Sequence, residues 1–231
     1  PLEVLQAQGK GIEAVITGAF FGIKTEYLDF LPDVKVVSTF GVGYDSIDTQ
    51  ALAQRGIQLG NTPDVLNDAV ADTAIALLLA VVREVVRTDR YVREGRWPQG
   101  FYGLTPNVSG KKVGIVGLGS IGKVIAKRLG GFDCEIAYHN RSQRTDVDYA
   151  YFSSLNDLAA WSDFLIVATV GGAQTQHLIN AQVLAALGPQ GYLVNIARGT
   201  VVDEDALLKA LQEKMIAGAG LDVFTNEPHV P

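Results

Sequence analysis

From Lys112 onward, short apolar runs of β type alternate with helical ones, and that alternation leaves few folds open. Lys112–Val116, Glu135–His139, Phe164–Ala168, Tyr192–Ile196 and Ala217–Val223 read as strands. Ile121–Leu129, Leu155–Trp161, Ala181–Leu187 and Glu204–Gln212 read as the helices between them. Strands separated by helices pair in parallel, with both faces of the sheet covered, so this stretch predicts a doubly wound α/β domain. A shorter block before it repeats the pattern, with strands at Ile12–Thr17, Val34–Thr39 and Gly56–Leu59 and helices near Thr25–Phe30 and Ser46–Arg55. Three strands make a small sheet, so residues 1–66 are expected to be part of a smaller α/β domain and 67–231 the larger one. The helical pattern from Asn67 to Arg93 predicts one helix of 27 residues. It would be roughly 40 Å long, enough to cross between two domains. The loop after it, RWPQGFYGLTPNVSG, carries three aromatic residues, which suggests that it packs on its own domain or on a partner subunit.

Composition removes other classes. Nineteen Lys and Arg against 25 Asp and Glu give a net charge of −6, which leaves no basic face for a nucleic-acid backbone. The longest apolar stretch, Ala74–Val82, has nine residues, where a spanning helix needs about 20. The N-terminus lacks a signal-peptide pattern. One cysteine, Cys134, excludes a disulfide framework and suits a reducing compartment, the cytoplasm by default. With three scattered histidines it argues against a metal site. Pro1 in place of an initiator Met, and the ending NEPHVP, read as the middle of a longer chain truncated at both ends.

The first strand of the larger block runs into G-x-G-x-x-G at Gly117, Gly119 and Gly122. With 25 glycines in 231 residues, chance supplies roughly 0.3 such motifs per chain, so the motif alone is weak. The strand before it and the amphipathic helix after it make it a dinucleotide-binding fingerprint of Rossmann type. Gly117 serves the tight turn, Gly119 lets backbone approach a pyrophosphate, and Gly122 packs helix on strand. Amides around Leu118, Ser120 and Ile121 would face the phosphates at the helix N-terminus. The acid that usually follows about 20 positions on, to hold a ribose 2′-hydroxyl, is missing. Asn140, Arg141, Ser142 and Arg144 stand there instead. An arginine fork onto a 2′-phosphate is worth about 1.5–3 kcal/mol, or roughly 10- to 100-fold, in favour of NADP over NAD. Solvated surface arginines are the alternative.

Ligands of an open α/β sheet lie beyond the carboxyl ends of its strands. Arg198, with Ile196 and Ala197 before it, Asp222 and Glu227 fall there. In the first block Val42 and Gly43 follow a strand in a glycine-flanked turn whose amides could hold a carboxylate.

TFGVGYDSID, NTPDVLNDAVADTAIALLLAVVRE, VGIVGLGSIG, VNIARGTVVDEDAL and AGAGLDVFTNEP together resemble the D-isomer-specific 2-hydroxyacid dehydrogenases, in order and over nearly the whole chain. HNRSQR makes the chain most similar to the NADPH-dependent glyoxylate/hydroxypyruvate reductases among them. The resemblance implies a Rossmann cofactor domain at 67–231, including the interdomain helix. It also implies a partial, flavodoxin-like substrate domain at 1–66, and a homodimer. It gives Arg198 the substrate's carboxylate and carbonyl, Val42 and Gly43 the carboxylate, and Asp222 the nicotinamide carboxamide. Glu227 would pair with a catalytic His and keep it protonated. The family's His lies in a later motif, and His139, His177 and His229 do not match it. The implied reaction is reduction of a small 2-oxo acid by NADPH. An NAD-linked relative acting on another 2-hydroxy acid, or a non-catalytic dinucleotide sensor on the same fold, are the alternatives.

Overall fold

The computed structural model describes residues 2–231. The chain divides into two compact units, the first ending at Leu66 and the second running Asn67–Pro231.

The first unit contains α1 (Leu2–Gln8), β1 (Ala14–Gly18), α2 (Thr25–Leu28), β2 (Val36–Phe40), α3 (Thr49–Gln54) and β3 (Gln58–Gly60). All three strands are parallel, in the order β1-β2-β3. Ile23, Leu28, Val37, Ile47, Leu52 and Ile57 form its core. Asp48 caps α3 by accepting from the Ala51 N–H at 2.9 Å, which explains why that helix starts three residues later than the apolar pattern suggests. α1 has no buried residue, so its sequence carries no apolar stripe by which it could be expected.

The second unit opens with a departure from the single helix expected over 67–93. α4 (Asn67–Val82) and α5 (Val85–Arg93) are separate, and Glu84 between them is left-handed at φ 51°. Ala71, Ala74, Leu78 and Val82 of α4 are buried, whereas α5 buries nothing, so core packing stops guiding the helix at Val82. The left-handed residue costs about 1–2 kcal/mol. Two bonds offset it: Tyr102 donates to the Glu84 carboxylate, and the Thr88 N–H donates to the Glu84 carbonyl at 2.9 Å. α4 belongs wholly to the second unit.

Then follow β4 (Lys112–Val116), α6 (Ser120–Leu129), β5 (Glu135–His139), β6 (Ala150–Tyr151), α7 (Leu155–Trp161), β7 (Phe164–Val167), α8 (Ala181–Leu187), β8 (Tyr192–Asn195), α9 (Glu204–Gln212) and β9 (Gly218–Leu221). The six strands are parallel, in the order β6-β5-β4-β7-β8-β9. Numbered within the unit this is 3-2-1-4-5-6, the doubly wound Rossmann order, with its switch point between β4 and β7. Five of its strands were expected; β6, two residues at a partly exposed edge, is too short to give an alternating pattern. Side-chain alternation divides the core. Val113, Ile115, Phe164, Ile166 and Val194 pack on one face with α4 and α6. Leu165, Val167 and Leu193 pack on the other with Leu158, Val183, Leu184 and Leu207. Burial on both faces is why β7 and β8 read as unbroken apolar runs. Among the described residues no helix is long and apolar enough to cross a membrane, and no cluster of potential metal ligands occurs.

Candidate active site

The turn after β4 sits at the switch point. Gly117 has φ 97°, and a Cβ there would lie 2.6 Å from Thr169 Cα and N in the loop after β7. Only glycine fits that crossing. A Cβ on Gly122 would collide with the Gly117 carbonyl oxygen, so the first turn of α6 packs directly on the loop. Gly119 is different. It is exposed, its φ of −86° is ordinary, and a Cβ there would meet no protein atom within 4 Å. Nothing in the protein requires glycine at 119, and its place at the start of α6 in the glycine turn leaves room for an approaching ligand. Side chains of Ser154, Asn180 and Asp203 cap α7, α8 and α9, whereas α6 starts on Gly119 with no side-chain cap. The exposed Ser120 and half-buried Ile121 open a helix end ready for a pyrophosphate. Leu118 is not part of that surface: its side chain is buried and its N–H donates to Asn140 Oδ1 at 2.7 Å. Asn140 thus acts as a strut tying the end of β5 to the glycine turn. The residues present fit a dinucleotide.

The segment after β5 carries the residues expected to meet a 2′-phosphate. Ser142 is exposed, and Arg141, also exposed, donates to Gln174 Oε1 at 3.1 Å. Arg144 is held twice. Its backbone N–H donates to the buried Tyr138 hydroxyl at 2.8 Å, and its Nε and a terminal nitrogen donate to the two oxygens of Asp146 at 2.7 and 2.8 Å. Lys123 of α6 donates to the same carboxylate. These hydrogen bonds, from Arg144 first and Lys123 second, hold the Asp146 carboxyl far below the usual carboxylate range. Sequence reading missed Asp146, although an acid two residues after an arginine was the available signal.

At the carboxyl end of β8, buried Asn195 clamps the next turn from both sides. Its Nδ2 donates to the Arg198 carbonyl at 3.0 Å, and its Oδ1 accepts the Ala197 N–H at 3.1 Å. Ile196 and Ala197 are buried, one in each apolar layer. Half-buried Arg198 emerges there, with one guanidinium nitrogen donating to the Ala197 carbonyl at 2.7 Å. Asn195 too was missed; a lone amide closing an apolar strand was its signal. A Cβ on Gly199 would overlap the Phe224 carbonyl and the Thr225 nitrogen, so glycine there lets the segment after β9 lie directly on the Arg198 turn. That contact brings Arg198 and the Asp222–Glu227 segment together. Asp222 is exposed, with its N–H on the Asn195 carbonyl at 3.0 Å. Glu227 is exposed and accepts the Phe224 N–H at 2.8 Å, while Glu204 Oε1 accepts the Thr225 N–H at 2.6 Å. The histidines lie elsewhere in the packing: His139 Nδ1 faces the Phe152 carbonyl at 2.9 Å, the His177 backbone N–H donates to the Thr200 carbonyl, and His229 is exposed.

In the first unit Val42 and Gly43 follow β2 in a turn held by its neighbour. Asn61 donates to the Val42 carbonyl at 2.9 Å, and Thr62 bonds both backbone groups of Gly41. Among the described residues neither the Val42 nor the Gly43 N–H finds a protein acceptor.

A glycine turn at the switch point of a Rossmann sheet, with an arginine projecting from a neighbouring strand end, defines a nicotinamide-dinucleotide oxidoreductase domain. Residues 75–231 match the family model of the D-isomer specific 2-hydroxyacid dehydrogenase NAD binding domain. Glyoxylate/hydroxypyruvate reductase A of Arabidopsis thaliana is 48% identical over 99% of this chain and 73% of its own length. Hydroxyphenylpyruvate reductase of Plectranthus scutellarioides is 47% identical over the same shares. The NADPH-dependent glyoxylate/hydroxypyruvate reductase of Sinorhizobium meliloti, solved with NADP and malonate, superposes with a TM-score of 0.93 at 44% identity. That match covers 100% of this chain and 72% of the solved one. The chain belongs to the D-isomer specific 2-hydroxyacid dehydrogenase family.

Proposed function

We propose that the protein reduces a small 2-oxo acid, hydroxypyruvate or glyoxylate, to the D-2-hydroxy acid, with NADPH as reductant. The observation that carries this reading is the Arg198 turn: a guanidinium held at a strand end by Asn195, with the Asp222–Glu227 segment seated on Gly199. When bound, NADPH supplies the hydride. Arg198 binds the substrate's carboxylate and polarises its C2 carbonyl, stabilising the charge that develops on that oxygen. The Val42 and Gly43 amides take the carboxylate. Glu227 orients a protonated imidazole, the role that the family resemblance gives to a His other than the three in this chain, and Asp222 meets the nicotinamide carboxamide. Gly117, Gly119, Ser120, Ile121 and Gly122 hold the pyrophosphate, and Asn140, Arg141, Ser142 and Arg144 stand at the adenosine ribose. Residues 1–66 serve as part of the substrate domain and 67–231 as the cofactor domain.

The protein is proposed to work as a cytoplasmic homodimer. Trp97, Phe101 and Leu104, exposed at 64%, 77% and 94%, are the apolar groups that a partner subunit would cover. One observation favours the NAD-linked alternative: Arg144 already has a carboxylate partner. Titration with NADPH and then NADH, followed by nicotinamide fluorescence at moderate salt, separates the two. Tighter NADPH binding supports the reductase reading, equal or tighter NADH binding the NAD-linked one.

A further inference from the structure

Three charged groups from two elements meet beside the end of β5, where the ribose of a bound dinucleotide is read. Asp146 takes two N–H donors of Arg144 and one of Lys123. The Arg144 backbone is fixed on the buried Tyr138 hydroxyl, so the root of the side chain stays beside the end of β5 when its partner is removed. All three side chains are 34–47% exposed, within reach of an arriving ligand.

We propose that Asp146 is a counter-ion that competes with the 2′-phosphate for Arg144 and Lys123, and so sets how far the site prefers NADPH over NADH. This rests on the NADPH reading above. The argument is one of donors and charge. A 2′-phosphate brings about two negative charges to two cations already partnered by a carboxylate. To bond Arg144 side-on it must displace Asp146, and Asp146 repels it meanwhile. NADH brings no such charge and meets neither cost. Exposed ion pairs are worth a factor of about 5 or less, so the carboxylate lowers NADPH affinity without abolishing it. Asp146 acts through its neighbours; it is a positioning residue that need not touch the cofactor.

The test measures dissociation constants of NADPH and NADH by nicotinamide fluorescence for the parent protein and for D146N, D146E and R144A. Release of both cations should tighten NADPH binding by D146N roughly 3- to 10-fold, with NADH held within twofold and a steeper salt dependence for NADPH. D146E, which keeps the charge, should keep the parental ratio. A purely structural role would move both cofactors together, and an unchanged or lower NADPH preference in D146N overturns the inference. Loss of NADH affinity alone in D146N would make Asp146 a ribose ligand instead, and also overturns it. R144A separates the two levels. If it weakens NADPH while D146N fails to tighten it, only this inference falls. If it leaves NADPH unaffected and the parent shows no preference, the NADPH reading falls with it.

Discussion

Gly119→Ala separates a glycine kept for a ligand from one kept for the fold. The added methyl meets no protein atom within 4 Å, and φ of −86° suits alanine, so folding stability should change by no more than about 0.5 kcal/mol. The same methyl stands where backbone must approach a pyrophosphate. Losing one charge-assisted bond there costs about 1.5–3 kcal/mol, or roughly 10- to 100-fold in NADPH affinity. Gly117→Ala should behave otherwise. Its φ of 97° and the 2.6 Å approach to Thr169 damage the turn itself, so melting temperature and cofactor affinity should fall together. The assay pairs a thermal melt without ligand with nicotinamide fluorescence titration for each variant. A Gly119→Ala protein that binds NADPH as tightly as the parent refutes the placement of the pyrophosphate.

Other expectations follow from the same contacts. Gly199→Ala forces the Phe224–Thr225 backbone off the Arg198 turn. Such overpacking costs about 1–3 kcal/mol in a chemical melt, and a displacement near 1 Å should lower kcat/KM about 100-fold, with a smaller loss of NADPH affinity through Asp222. Asn140→Ala removes the acceptor of the Leu118 N–H, so NADPH and NADH affinities should drop by a similar factor, read by titration. The Asp146 carboxyl, held down by Arg144 and Lys123, should titrate below the ordinary Asp value of about 3.9 in a carboxyl NMR experiment. Because its folded pKa is depressed, its stabilising contribution is present above the unfolded value and is lost as pH falls through the folded one.

Most of the second unit was legible because its central strands β4, β7 and β8 are buried on both faces. Lys112–Val116, Glu135–His139 and three of the helices fall where the pattern put them, and α6 starts one residue earlier, since apolar runs there report the two core layers. What escaped had no core to report: α1 buries nothing and β6 is two residues long, while α5, which also buries nothing, was expected as helix but not as one separate from α4. The break at Glu84 depends on a bond from Tyr102, 18 residues away, which local periodicity does not register. The site divides in the same way. Gly117 and Gly122 announce themselves by spacing, and Arg198 by its place after a strand. Asn195 and Asp146 act through partners that only folding brings near, so Asn140 and Arg144 were legible as residues but not as a strut and an ion pair.

The central claim is hydride transfer to a 2-oxo acid, and the most direct test is hydroxypyruvate-dependent oxidation of NADPH by the full-length protein, with the product's chirality determined. The account predicts one D-glycerate for each NADPH consumed. NADPH that binds yet stays reduced with hydroxypyruvate and glyoxylate alike, or a product that is L-glycerate, would contradict it.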